Sequence, residues 1–144
     1  MSPVDAALLR RKLGRIAECL EALRPLAALS LVEYQARLYE RKAAERLLQE
    51  AIEAALDVNA HLAAELGAEV PDDYYRGFIR LGELGVLPRD LAERLAPSAG
   101  LRNRLVHEYD ILDDGRVLAS IARVLDEYPR YVQAIDAYLS RAGL

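Results

Sequence analysis

Residues 30–66 read SLVEYQARLYERKAAERLLQEAIEAALDVNAHLAAEL and contain neither glycine nor proline. Ser30, followed three residues later by Glu33, forms a capping box, the pattern that begins a helix. Charged side chains, Glu53 among them, occupy one side of the predicted helix. Apolar residues recur every three or four positions on the other side, at Leu38, Ala44, Leu48, Ala51, Ile52, Ala55, Leu62 and Leu66. This stretch predicts one long amphipathic helix.

The length of this helix predicts a partner. At 1.5 Å per residue, about 36 helical residues would span roughly 54 Å, whereas a globule of this size has a diameter of roughly 35–40 Å. The helix would project beyond its own domain. We therefore expect a second copy of the chain to cover its exposed stripe.

The composition of the whole chain also favours helices. Its 144 residues include 26 Leu and 24 Ala against 9 Val, 6 Ile and no Thr, and unbranched side chains lose little rotamer freedom in a helix. This excludes a β-sandwich or barrel. A hydrophobic fraction of 53% excludes a disordered chain, because that much apolar surface can offset the entropy of ordering.

Glycine and proline divide the remaining sequence into further helices. Residues 1–144 are expected to form a single domain, an all-α antiparallel bundle of about five helices. The predicted segments are a helix capped by Ser2, Pro3 and Asp5 and stopped at Pro25, then Tyr74–Leu84, Arg89–Ala96, Leu101 to about Tyr109, and a strongly periodic run from Val117 to Leu139 that Pro129 should kink or split.

Charge and cysteine content narrow the classes of function. The net charge of −4 and the pI near 5.3 mean that binding to nucleic acid would need a local basic patch. Cys19 is the only cysteine, so no intrachain disulfide can form and a reducing, cytoplasmic location is expected. No signal peptide or membrane span is expected from the hydropathy pattern.

A first cluster of polar residues, Asp57, His61 and Glu65, is spaced to share one face of the long helix. One imidazole and two carboxylates could bind a metal ion. A zinc site would normally recruit a further His or Cys, however, and the chain has only one other histidine. A polar stripe is therefore the favoured interpretation, and no metal site is expected.

A second cluster, residues 102–109, reads RNRLVHEY. An arginine stabilises charge that develops on phosphate oxygens, and a histidine can take up or release a proton near neutral pH. RNA cleavage without a metal ion needs these two functions above all, because the attacking 2′-hydroxyl belongs to the substrate. The alternative is a structural hydrogen-bond network near a helix end, with Leu101 and Leu105 in the core.

Helix geometry constrains this second cluster. At 100° per residue, Arg102 and His107 lie about 140° apart around the axis, whereas Asn103 and His107 share a face. Arg102 and Tyr109 would be nearly eclipsed if the helix continued that far. One helix cannot easily point Arg102 and His107 at one phosphate. Either the arginine wraps around the helix or a second subunit completes the site.

The second cluster resembles the HEPN superfamily, whose motif is an arginine, a polar residue, a short spacer and a histidine. Arg102, Asn103 and His107 stand in that order, and Tyr109 narrows the resemblance to HepT-like toxins, which pair with an MntA-like minimal nucleotidyltransferase antitoxin. The stretches ERLLQEAIEAALDVNAHL, PDDYYRGFIRLGELGVLP and RNRLVHEYDILDDGRV also look like that family, and the likeness covers most of residues 30–135.

This resemblance implies a homodimeric, metal-independent endoribonuclease toxin that uses no cofactor, with two motifs facing each other across the dimer. Arg102 would stabilise the phosphorane, Asn103 would orient His107 or the phosphate, and His107 would act as general base or acid. Tyr109 would receive AMP from ATP through the antitoxin. Arg102 and Arg104 would contact the RNA.

Two other functions remain open on the sequence. The chain could be a non-catalytic helical module that binds a nucleotidyltransferase partner or a nucleotide, because an arginine and a histidine near a cleft can hold phosphate without cutting RNA. It could also be a structural dimerisation bundle. The RNA-cleaving toxin is the leading hypothesis.

Overall fold

The computed structural model describes residues 5–144, and within them the chain forms helices and no β-strand. The all-helical bundle is confirmed, with seven α-helices where about five were expected. No helix in this part of the chain combines the length and apolar content needed to cross a membrane. The helices are α1 (Ala6–Ala27), α2 (Leu31–Ala36), α3 (Leu38–Glu65), α4 (Tyr74–Glu83), α5 (Arg89–Leu95), α6 (Ser98–His107) and α7 (Asp114–Arg141), with a 3₁₀ turn at Tyr109–Ile111.

The prediction of one helix across residues 31–66 is wrong, because the chain leaves helical geometry at Arg37 (φ −114°, ψ 88°). Ser30 and Glu33 do form the predicted capping box at the start of α2. The break lets α2 pack against α7 and buries Tyr34 completely, which explains a bend without glycine or proline. Leu38, predicted to lie on the apolar stripe, is 54% exposed.

The break also shortens the helix whose length led to the expectation of a second subunit. The remaining helix α3 has 28 residues and spans about 42 Å, as does α7 with its 28 residues. This length is close to the expected diameter of roughly 35–40 Å, so helix length gives little support for a second subunit. Leu66, the other end of the predicted stripe, follows α3 and is 39% exposed.

The helix start near Pro3 and the effects of Pro25 and Pro129 on their helices were also predicted. The predicted caps at Ser2 and Pro3 lie outside the described residues, and Asp5 caps α1 by accepting from the Leu8 N–H at 3.0 Å. Pro25 does not stop α1 but lies in its last turn. Proline has no N–H to donate to the carbonyl oxygen of Glu21, and because this part of the helix is exposed, water can donate to that oxygen instead. Pro129 does not split α7, because Tyr128 and Tyr131 anchor the helix in the core beside it.

The core is formed mainly by α1, α3 and α7, with α4, α5 and α6 packed around α3 and α7. Tyr131 links two of these helices, since its hydroxyl lies 2.6 Å from Asn59 Oδ1 and 3.1 Å from the Ala55 carbonyl oxygen. The ring of Phe78 packs edge-on against Tyr131, with centroids 5.9 Å apart. The periodicity predicted the buried faces of two helices, which are Leu9, Leu13, Ile16, Leu20 and Leu23 of α1 and Val117, Ile121, Val124, Tyr128, Tyr131, Ile135 and Leu139 of α7.

Candidate active site

The second cluster lies on α6, which begins three residues before the predicted start at Leu101. Leu101 and Leu105 are buried, as predicted for core positions. The Ser98 hydroxyl donates to the Leu95 carbonyl oxygen at 2.6 Å and lies 2.7 Å from the Tyr128 hydroxyl. These contacts fix the start of α6 against its neighbours.

The buried leucines determine where the polar side chains of α6 lie. Asn103 and His107 are exposed on the side opposite the core. Arg102 and Arg104 flank this exposed face: Arg102 contacts residues of α3 and α4, and Arg104 lines a cavity with residues of α7. The helix therefore presents an amide and an imidazole with a guanidinium on either side.

Arg102 is the most enclosed of these side chains, with 19% of its side-chain surface exposed. Its Nε lies 3.3 Å from Glu53 Oε1 on α3. Its guanidinium carbon lies 5.2 Å from the centre of the Tyr74 ring on α4, a cation–π distance. A carboxylate and an aromatic face thus hold Arg102 beside α6.

Asn103 contacts Arg102, because its Oδ1 accepts a hydrogen bond from Arg102 Nη1 at 3.3 Å. Its predicted role was to orient His107 or the phosphate. The structure places its amide oxygen on the guanidinium, and the predicted role stays a prediction.

His107 is the last residue of α6, and the prediction that the helix extends to about Tyr109 is wrong. Glu108 leaves helical geometry (φ −128°, ψ 29°), so Arg102 and Tyr109 are not eclipsed on one helix. Tyr109 instead begins the 3₁₀ turn and is 65% exposed, and Ile111 on the same turn is 71% exposed. The phenol is accessible at the end of α6 that carries His107.

Arg104 lines the groove between α6 and α7. Two adjoining cavities of about 200 and 190 Å³ share Leu101, Arg104 and Ser120, and Arg116 lines one of them while Arg123 lines the other. Glu127 also lines the groove, and burial raises the pKa of its carboxyl despite the Arg123 guanidinium 3.8 Å away. Three arginines and three acidic residues line the two cavities, the latter being Glu108, Asp113 and Glu127, so the groove carries groups of both signs.

Arg102 and His107 are not brought together within one chain. No hydrogen bond joins them anywhere in residues 5–144, and the arginine is engaged with Glu53 and Tyr74 instead. Of the two arrangements open on the sequence, an arginine wrapping around its own helix is therefore disfavoured. Completion of the site by a second chain remains.

The first cluster is a polar stripe. Asp57 pairs with Lys12 Nζ at 3.1 Å, and His61 Nε2 lies 3.4 Å from the Asp5 backbone nitrogen. Glu65 has a buried Oε2 without a hydrogen-bond partner. No three His, Cys, Asp or Glu side chains in the described part of the chain are grouped closely enough to hold a metal ion. The metal-ligand interpretation of these residues has no support.

Two residues of the candidate site, Glu53 and Tyr74, were missed from the sequence. Glu53 was placed on the charged outer side of its helix, and Tyr74 only began a short helix. Their contacts with Arg102 depend on how α3, α4 and α6 pack together, and spacing along one helix carries no such information. One signal was present in the sequence: Tyr74 directly follows Asp73, the residue that caps α4, so an aromatic side chain stands at the start of that helix.

The family model that matches this chain and a relative of similar length are both described as nucleases. A family model described as Ribonuclease HepT-like matches residues 16–135. The chain is 37% identical over 139 residues to the tRNA nuclease HepT of Aphanizomenon flos-aquae, an alignment that covers 96% of this chain and 95% of the relative.

Solved structures show the same fold at lower identity. YutE from Bacillus subtilis, a cytosolic protein of unknown function, matches with a TM-score of 0.86 at 20% identity, covering 99% of this chain and 95% of that one. A tri-AMPylated Shewanella oneidensis HEPN toxin in complex with its MNT antitoxin matches with a TM-score of 0.80 at 20% identity, covering 90% of this chain and 97% of the toxin.

Proposed function

The chain belongs to the ribonuclease HepT-like family, and from that premise we propose that it is the toxin of a toxin–antitoxin pair, a metal-independent endoribonuclease with a site shared between two copies of the chain. One observation carries the proposal: α6 exposes Asn103 and His107 while Arg102 is held at the edge of the same face. The tRNA nuclease relative, aligned over 96% of this chain, supports RNA as the substrate.

The chemistry needs only groups that this surface supplies. His107 removes the proton from a ribose 2′-hydroxyl, whose oxygen attacks the adjacent phosphorus. The bond from phosphorus to the 5′-oxygen breaks, and the leaving 5′-oxygen takes a proton from water. The products are a 2′,3′-cyclic phosphate and a 5′-hydroxyl. Arg102 donates to the non-bridging oxygens, on which negative charge develops in the transition state. Because the nucleophile belongs to the RNA, no metal-bound water is required.

The positions of these groups support a site that includes a second copy of the chain. Arg102 and His107 lie about 140° apart around one helix, and Arg102 is fixed toward α3 and α4. We propose that two α6 helices face each other in a homodimer, so that His107 of one chain and Arg102 of the other act on one phosphate. Arg104, which lines the α6–α7 groove, and the rest of that groove then contact the RNA beside this phosphate.

We propose that AMP transfer to Tyr109 neutralises the toxin. The phenol is 65% exposed on the turn directly after α6, so a nucleotidyltransferase can reach it. An attached AMP adds a phosphate charge and an adenosine next to His107, where they obstruct the approach of RNA. The Shewanella toxin, which is described as tri-AMPylated and in complex with its MNT antitoxin, supports both the modification and the type of partner.

Cleavage of RNA by purified protein in the presence of excess chelator tests the proposed function. We expect cleavage by the wild type, by EDTA-treated wild type and by Arg94→Gln, and none by His107→Ala. Cleavage by a clean His107→Ala protein would overturn the assignment. If the wild type leaves RNA intact but binds a nucleotide or the antitoxin saturably, the chain is the non-catalytic module instead.

A further inference from the structure

The guanidinium of Arg102 is held by three neighbouring groups. Glu53 Oε1 accepts from Nε at 3.3 Å, Asn103 Oδ1 accepts from Nη1 at 3.3 Å, and the Tyr74 ring lies against the group at 5.2 Å. Resting on the proposed nuclease function, we infer that Glu53 and Tyr74 are positioning residues that fix Arg102 for contact with the scissile phosphate.

The donors of the guanidinium fit this role. A guanidinium has five N–H groups in a rigid plane, and the contacts to Glu53 and Asn103 use one on Nε and one on Nη1. Three remain on the two Nη atoms. Two of these can donate to two oxygens of one phosphate, which is the geometry in which arginine binds phosphate most strongly. The contacts therefore fix the fork and leave its phosphate-binding donors available.

Glu53 is itself held in place. Gln49 Nε2, one turn earlier on α3, donates to the same Oε1 atom of Glu53 at 3.0 Å. Both members of the ion pair are partly shielded, with 19% of the Arg102 side chain and 36% of the Glu53 side chain exposed, so solvent weakens the attraction less than in a fully exposed pair. A long flexible side chain thereby becomes ordered before RNA binds, which is the condition for efficient stabilisation of a transition state.

A carboxylate beside an arginine could have the opposite effect and compete with the phosphate for its charge. The two roles predict different kinetics. If Glu53 competes, its neutralisation tightens RNA binding and leaves the cleavage step intact. If Glu53 positions Arg102, its neutralisation slows cleavage of bound RNA and changes binding little.

Steady-state and single-turnover cleavage of an RNA substrate by full-length variants distinguishes the two. We expect Glu53→Gln and Tyr74→Leu to lower kcat by roughly ten- to a hundredfold with KM changed by less than about threefold. Glu50→Gln is the matched control, because Glu50 lies on the same helix, is 35% exposed and pairs with Arg46 Nε at 3.2 Å, away from Arg102. Thermal unfolding of each variant shows whether a lost rate reflects lost structure.

A double variant tests whether Glu53 acts through Arg102. Glu53→Gln combined with Arg102→Ala should cleave no more slowly than Arg102→Ala alone. A wild-type kcat for Glu53→Gln, or a fall in KM without loss of kcat, would overturn the inference and leave the nuclease function standing. If the wild type does not cleave RNA, or Arg102→Ala cleaves normally, both the proposed function and this inference are wrong.

Discussion

Asn103 Oδ1 accepts a hydrogen bond from Nη1 of its sequence neighbour Arg102 at 3.3 Å. Side chains of adjacent helical residues point about 100° apart, and the contact forms because the arginine is long enough for Nη1 to reach the neighbouring amide while Nε stays on Glu53. The amide thus links the held arginine to the face that carries His107. In the structure the Asn103 amide oxygen contacts the arginine, whereas its spacing of four residues from His107 suggested the imidazole.

Arg102→Lys should inactivate the protein without unfolding it. A lysine ammonium is a point charge without the planar fork, so it cannot contact Glu53 and bridge two phosphate oxygens together. We expect RNA cleavage slowed by roughly a hundredfold or more. Arg94→Lys is the control, since Arg94 on α5 pairs only with Asp90, at 3.7 Å, within the described residues. Cleavage at the wild-type rate by Arg102→Lys would show that charge alone suffices.

Tyr109→Phe should abolish modification by the antitoxin. Co-expression of the wild type with a nucleotidyltransferase antitoxin is expected to add the mass of AMP to the chain, because the phenol is exposed beside the site. Tyr39→Phe is the control, because Tyr39 is a still more exposed tyrosine, at 86%. Intact-mass spectrometry gives the answer, and an AMP increment that survives in Tyr109→Phe would assign the modification elsewhere.

Tyr131→Phe should destabilise the fold. The hydroxyl is buried and lies 2.6 Å from Asn59 Oδ1 and 3.1 Å from the Ala55 carbonyl oxygen, and its removal leaves the buried Asn59 amide oxygen without this donor. We expect the free energy of unfolding to fall by about 1–3 kcal/mol, measured by urea denaturation. Tyr138→Phe, at a half-buried tyrosine of the same helix, should change it little. An equal loss of unfolding free energy in both variants would show that the buried Tyr131 hydroxyl contributes no more to stability than the half-buried Tyr138 hydroxyl.

Glu127→Gln should stabilise the protein in a pH-dependent way. Burial raises the pKa of the Glu127 carboxyl above its ordinary 4.5, opposed by Arg123, Arg94 and Arg130 and reinforced by Asp126. The folded state therefore binds the proton more tightly than the unfolded state, and stability is lost as the pH rises through this raised pKa.

The glutamine variant should thus unfold at higher urea concentration than the wild type at neutral pH, and this advantage should shrink as the pH falls through the raised pKa toward the ordinary carboxyl value. Asp136→Asn, at an exposed carboxylate of the same helix that pairs with Arg10 at 3.6 Å, is the comparison. An advantage that grows on acidification would contradict the raised pKa.

Local patterns predicted those parts of the fold that depend on single helices. The apolar period of α1 and of α7 predicted their buried faces, and the Ser30 capping box began α2 as expected. The break at Arg37 could not be predicted, because no breaking residue marks it. It follows from the packing of α2 on α7 that buries Tyr34, which is a tertiary effect.

The candidate site divides in the same way. The sequence alone selected α6 as the candidate site, through the order of Arg102, Asn103, His107 and Tyr109 along the chain. The carboxylate that holds Arg102 comes from Glu53, 49 residues earlier, and nothing on α3 distinguishes that glutamate from its neighbours. Only the crossing of α3 and α6 selects it.

Subunit complementation tests whether the nuclease site is shared between two chains. Arg102→Ala and His107→Ala chains with different affinity tags are co-expressed, the mixed dimer is purified through both tags, and its RNA cleavage is measured. The mixed dimer retains one site with Arg102 from one chain and His107 from the other, so it should cleave at about half the wild-type rate while each parent dimer cleaves far more slowly. A mixed dimer as inactive as its parents would contradict a shared site.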